Sequence, residues 1–237
     1  MKKKYIFGFI IILVALASGL FILFRVFLTP SGIDIDKLKY PVTGIDISKH
    51  TGRIDFHKIK KQKIDFIFIK STEGEDHKDQ AFERNYLDAK ACEIPVGTYH
   101  FFRFNKSGKK QAKNYLKAIA DKKFELPFVV DVETWGNPTT KSKEEIIHEL
   151  AEFINMIESN TNKKVIIYSN EDGYSRFIKG NFKNDIWICS FNERIDKIVQ
   201  WVFWQHSHKG KYDFAEGWVD VNTFNGNKAD WNRYLNK

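Results

Sequence analysis

Hydrophobic and polar positions along the chain follow two regimes. Residues 5–24 carry no charge at all. From residue 42 onward, short apolar, β-branched runs alternate with stretches whose apolar side chains recur at helical spacing. The runs Val42–Ile47, Ile64–Lys70, Ile94–His100, Pro127–Val132 and Lys164–Tyr168 read as strands. The second is apolar at nearly every position, which predicts cover on both faces of the sheet. Helices are predicted over Gln80–Ala91, Ser107–Lys122 and Ser142–Asn160. The last has Ile146, Ile147, Leu150, Ile154 and Ile157 on one face, and Ser142 with Glu145 makes a capping box at its start. Repeated strand–helix–strand units imply right-handed crossovers and a parallel sheet.

The rhythm changes after residue 180. Strand candidates Asp185–Phe191, Val199–Gln205 and Trp218–Phe224 lie too close together for full crossover helices, so some pairs there can be antiparallel. Eight strands within residues 42–224 are fewer residues than the roughly 250 of a complete (β/α)8 barrel. The expected fold is therefore α/β, a modified, helix-poor TIM-like barrel behind an N-terminal transmembrane or signal helix.

Charge and composition sharpen this division. Of the +8 net charge, four units belong to Lys2, Lys3, Lys4 and Arg25, in a stretch without acids. A basic cluster followed by 20 uncharged residues, Tyr5–Phe24, is long enough to span a bilayer's hydrocarbon core of roughly 30 Å. The basic flank orients the remainder of the chain outward. Two readings compete: an uncleaved anchor, and a signal peptide with Ala15-Leu16-Ala17 as its cleavage site. The domain boundaries read 1–28 signal anchor or signal peptide, 29–40 linker and 41–237 catalytic domain. Both readings put the folded part outside the cytoplasm, attached to the cell membrane by a single span or secreted. The charge of the remainder is too mild and too scattered for nucleic acid. Cys92 and Cys189 sit in apolar surroundings and read as buried free thiols, and no Cys/His cluster points to a metal.

Acidic residues gather where such a barrel keeps its chemistry, at the carboxyl ends of the strands. These ends carry Asp46, Lys70-Ser71-Thr72-Glu73, Tyr99-His100, Asp131-Val132-Glu133, Tyr168, Gln205 and Asp220. Asp131 and Glu133 follow a buried-looking strand at a spacing that directs both to one face. Two carboxylates placed together repel, and one of them then holds its proton near neutral pH. One acid able to protonate a leaving oxygen, beside one carboxylate able to stabilise a cationic centre, is what glycoside hydrolysis requires.

A collinear set of motifs runs through Gly44-Ile45-Asp46-Ile47-Ser48, Gly52-Arg53-Ile54-Asp55-Phe56, Phe68-Ile69-Lys70-Ser71-Thr72-Glu73-Gly74 and Val96-Gly97-Thr98-Tyr99-His100-Phe101. It continues through Val130-Asp131-Val132-Glu133, Ile167-Tyr168, Trp187-Ile188, Phe203-Trp204-Gln205 and Val219-Asp220-Val221-Asn222. In these motifs the chain resembles family 25 glycoside hydrolases, the Chalaropsis-type lysozymes. The resemblance implies a flattened β/α barrel that cleaves the β-1,4 bond between N-acetylmuramic acid and N-acetylglucosamine in peptidoglycan, with no cofactor. By the same resemblance Glu133 falls on the proton donor and Asp131 on the carboxylate assisting the substrate's 2-acetamido group. Asp46 and Asp220 fall on the other site acids, and Tyr99, Tyr168 and Trp204 on the sugar groove.

Glu73 and Gln205 complete the expected substrate-binding set, with Trp204 the first choice for stacking on a sugar face. A monomer is expected. His100 reads as a satisfied core histidine, while His206 and His208 read as loop residues without a role. Two other readings stay open: a hydrolase of another N-acetylhexosamine polymer, and a non-catalytic wall-binding module.

Overall fold

A computed structural model of the chain describes residues 32–193, 195–197 and 199–236. The apolar stretch 5–24, with the expected anchor or signal, lies outside the described residues. Among the described residues no helix is long and apolar enough to cross a membrane.

Among the described residues nine strands form one sheet: β1 Thr43–Ile47, β2 Phe66–Glu73, β3 His77–Lys78, β4 Val96–Phe101, β5 Phe128–Asp131, β6 Val165–Asn170, β7 Ile186–Cys189, β8 Phe203–Gly210 and β9 Val219–Phe224. Eight of them close into a barrel through the β1–β2 pairing, while β3 folds back on β2 as an edge hairpin. Neighbouring staves are parallel except around β9, which runs antiparallel to both β8 and β1. The loop from β8 to β9 is too short for a crossover helix, so the chain can only turn back on itself. This reversal has a chemical consequence. Asp220, near the start of β9, lies directly across from Asp46 near the end of β1, at the end of the barrel where the other strands finish.

The period-2 alternation of side chains divides the core into two layers. Phe66, Phe68, Val129, Ile166, Trp187 and Phe203 fill the barrel, with the Phe68 and Trp187 rings stacked at 4.5 Å between centroids. Room for the two phenylalanines comes from glycines: a Cβ on Gly44 would come within 2.2 Å of the Phe66 ring, and one on Gly97 within 2.3 Å of Phe68. The alternate residues, Ile67, Ile69, Val130 and Ile167 among them, face the outer helices. The all-apolar sequence of β2 thus does have both faces covered.

Helices α1 Phe82–Ala91, α2 Gly108–Ile119 and α3 Lys143–Thr161 lie within three residues of their predicted bounds. The capping box of α3 is formed, with Ser142 N donating to Glu145 Oε2 at 2.6 Å and Glu145 N donating to Ser142 Oγ at 3.2 Å. A further helix, α4 Lys228–Leu235, was not expected. Its Trp231 packs on Phe66 and Phe224 at 5.1 and 5.2 Å, plugging the barrel at the end opposite the acids.

The stretch expected as a linker is, in its described part, docked on the barrel. Ile33 N donates to His206 O at 2.9 Å, and Tyr40 packs its ring against Trp201 and Trp204. Apolar side chains at Ile33, Ile35 and Tyr40 account for the docking. Cys92 and Cys189 are buried free thiols.

Candidate active site

The mouth of the barrel gathers Asp46 from β1, Asp131 at the end of β5, Glu133 just beyond it and Asp220 from β9, each within the electrostatic reach of others. Asp46 is buried, and its Oδ2 accepts from Gln205 Nε2 at 2.7 Å and from Asn222 Nδ2 at 2.8 Å. Both amides are fixed in turn: Tyr168 Oη donates to Gln205 Oε1 at 2.7 Å, and Trp187 Nε1 to Asn222 Oδ1 at 2.8 Å. Burial, and then the Asp220 charge, push the Asp46 carboxyl up to about 8 against the pull of the two amides. Asp46 therefore tends to hold a proton at neutral pH within a rigid network.

Asp131 is 5% exposed, and its Oδ1 has no hydrogen-bond partner among the described residues. A buried acceptor left open is costly to the fold, and here it points to a donor supplied by a ligand. Burial, followed by repulsion from Glu133, holds Asp131 well above the carboxylate range, with Lys70 opposing. Glu133 is pushed up to about 7, chiefly by burial. His208 and the Tyr168 hydroxyl pull it down, and Asp220 pushes it up. A carboxyl with a pKa near neutrality can both give and take a proton at working pH.

The other expected residues divide. Tyr99 is partly exposed, edge-on to Trp187 at 6.4 Å, with its hydroxyl pKa raised by burial and by the field of the acids. Tyr168 lines the same space beside Asp131, its register partner. Glu73 belongs to an ion cluster: Lys70 Nζ lies 2.7 Å from its Oε2, and Arg103 Nε donates to its Oε1 at 2.8 Å. Burial would raise Glu73, but the two cations hold it at about 2, so it stays ionised and its partners stay in place. Gln205 has both ends of its amide engaged by protein partners, which makes it a positioning residue rather than a substrate contact.

Trp204 is a correction. Gln205 points into the barrel, so its neighbour must point out. Trp204 is 4% exposed, packed against Tyr40 and Trp201 with Nε1 donating to Ser190 O at 2.8 Å. It does not line a groove. An exposed tryptophan close to the acids in the chain is Trp135, 82% exposed, two residues beyond Glu133. Its loop is pinned by Asn137, whose Nδ2 donates to Phe102 O at 2.7 Å and to Glu133 O at 3.0 Å.

His208 is a second correction. Strand β8 continues past Gln205 to Gly210 through two register shifts. This places His206 on the strand, with Nδ1 3.1 Å from Ile33 O, and brings His208 Nδ1 within 2.7 Å of Asp220 Oδ1. The polar run His206-Ser207-His208-Lys209 hid the strand, because alternation is interrupted at the bulges. His100 is buried as expected, between Thr72 Oγ1 at 2.8 Å and Gln111 Oε1 at 3.2 Å and stacked on Phe153. Burial lowers it to about 3, so it stays neutral. Among the described residues no cluster of His, Cys, Asp and Glu could hold a metal ion.

The sequence profile described as "Glycosyl hydrolases family 25" matches residues 45–213. A family 25 glycosyl hydrolase from Bacillus anthracis superimposes with a TM-score of 0.78 at 33% identity, covering 86% of this chain and 97% of that one. The uncharacterized protein YegX of Escherichia coli strain K12 is 34% identical over 195 residues, or 79% of this chain and 71% of its own. Lysozyme M1 of Streptomyces globisporus is 29% identical over 209 residues, 79% of this chain and 69% of its own.

Proposed function

The chain belongs to family 25 of the glycosyl hydrolases, and from that membership and the geometry of its four acids we propose that it is a lysozyme. The reaction is hydrolysis of the β-1,4 bond between N-acetylmuramic acid and N-acetylglucosamine in peptidoglycan. The observation that carries this reading is the convergence of Asp131 and Glu133 at one barrel mouth, with Glu133 near neutrality and Asp131 Oδ1 open. A non-catalytic module has no use for repelling carboxylates kept out of water.

In the proposed mechanism Glu133 donates its proton to the glycosidic oxygen as the bond to the anomeric carbon breaks. The carbonyl oxygen of the substrate's own 2-acetamido group attacks that carbon, forming an oxazolinium ion. The acetamido N–H donates to the open oxygen of Asp131, which favours the ionised form of that carboxyl against its burial, and the carboxylate stabilises the positive charge. Glu133, now ionised, takes a proton from water as the water opens the ring. Two inversions leave net retention. Asp46 and Asp220 hold the field around the pair, and Tyr99 and Tyr168 wall the site.

The 5–24 segment is proposed to anchor the enzyme in the cell membrane with the barrel outside the cytoplasm. The support is the length of that segment and its basic flank.

Digestion of purified peptidoglycan, followed by mass spectrometry of the new reducing ends, tests the activity. Muramic acid ends are expected; N-acetylglucosamine ends, or no release, would overturn the reading. Glu133→Gln should lower turnover by at least about 10³-fold, since it removes both proton transfers, while leaving the circular dichroism spectrum unchanged.

A further inference from the structure

The proposed reaction uses four acids and leaves His208 without a part, yet the structure builds it into the site. Its two ring nitrogens are both engaged. Nδ1 is 2.7 Å from Asp220 Oδ1 on β9, and Nε2 is 3.7 Å from Cys189 Sγ on β7. The edge of the ring meets Phe191 at 5.0 Å, which fixes its plane. An ionised carboxylate accepts only, so Nδ1 carries the hydrogen. The Cys189 thiol, kept neutral by burial, offers a weak acceptor to the other nitrogen. Two acceptors around one imidazole suit its cationic form.

We propose that His208 is a positioning residue of this site, clamping Asp220 at the barrel mouth and supplying the positive charge that sets how far into the alkaline range the donor keeps its proton. The proposal rests on Glu133 being that donor. The groups facing His208 are Asp220 from β9, Cys189 from β7, Asp46 from β1 and Glu133 from the segment after β5; three of the four can be anionic. Lys70, whose charge also lowers Glu133, is already paired with Glu73. The bond to Asp220, ahead of the opposing effect of burial, raises His208 above its ordinary value, so the cation persists toward neutral pH. There it draws Glu133 down. The two groups titrate as a coupled pair, and the coupling is reciprocal.

Two measurements test this. In the pH dependence of kcat/KM, the alkaline limb should move upward in His208→Gln, which keeps a hydrogen-bond donor and loses the charge; the expected shift is on the order of half a pH unit. In His208→Phe the limb should move likewise, with an added loss at every pH because Asp220 is no longer held. A uniform loss with unmoved limbs would reduce His208 to packing and overturn the proposal. The second measurement needs no activity: the NMR titration of His208 in the wild-type protein should have its midpoint above the ordinary 6.5 or so. In Glu133→Gln that midpoint should fall by about the amount the alkaline limb rises in His208→Gln. A midpoint at or below the ordinary value, or one indifferent to Glu133, defeats the proposal. An active Glu133→Gln enzyme with an intact His208 shift instead defeats the assignment of the donor.

Discussion

Glu133 shows at the scale of one residue how a site of this kind opposes the fold that holds it. Its carboxyl rests near 7 in the folded chain, against an ordinary value of 4.5. Between those limits the native protein binds more protons than the unfolded chain, so stability falls as pH rises through the window. The cost is absent below 4.5 and complete above 7, on the order of 2 kcal/mol once partial solvent access is allowed for. Glu133→Gln should therefore raise the melting temperature by several degrees at pH 8 and by almost nothing at pH 4. Equal shifts at both pH values would show that the carboxyl is not raised. Glu73 has the opposite sign. Held near 2 by Lys70 and Arg103, it stabilises the fold in full above its ordinary value of 4.5 and loses that contribution progressively as pH falls from there to about 2. Asp46, Asp131 and Glu133 were legible in the sequence because each lies at the end of an apolar run, whereas Asp220, expected at the carboxyl end of its strand, stands near the start of β9. Asn222, which holds Asp46, was not singled out, since an amide near a strand end has no distinguishing pattern without its partner.

At the scale of elements, the decisive feature is the reversed β9. In an all-parallel barrel, an acid at the start of a strand would lie at the end away from the chemistry. Reversal brings Asp220 to Asp46 and His208. Short spacing in the last third made antiparallel pairing foreseeable; which pair would turn was not. The α4 plug was missed although its signals were present: Asn227 and Asp230 form a capping box, and Trp231, Tyr234 and Leu235 repeat at helical spacing. Trp231 fills the floor between Phe66, Phe203 and Phe224. Trp231→Ala should cost about 3–5 kcal/mol in denaturant unfolding, through lost burial and the cavity left behind. A cost below about 1 kcal/mol would mean that the helix merely leans on the barrel.

For the molecule as a whole, two apolar layers share one sheet. The inner layer supports the acids from below, and the outer one binds the helices. The stretch 32–40 is bonded to β8 and packed over Trp201 and Trp204, so the catalytic unit begins earlier than residue 41. The proposed membrane anchor is checked by carbonate extraction of membranes from cells producing the full chain. An anchored enzyme stays in the pellet. Protein in the medium whose first residue follows Ala17 would sink the anchor and leave the signal peptide.

The sequence by itself determined the order of strands and helices, the doubly covered β2, the capped α3 and the acids at the strand ends. All of these are local: they depend on periodicity, end chemistry and the burial demanded by apolar runs. Tertiary structure decided which acids meet and which tryptophan is hidden. It also brought a histidine from an interrupted strand beside Asp220 and left one oxygen of Asp131 open. Closure of the sheet joins β1 to β9 across nearly the whole chain, and no local pattern encodes the contacts made at that seam.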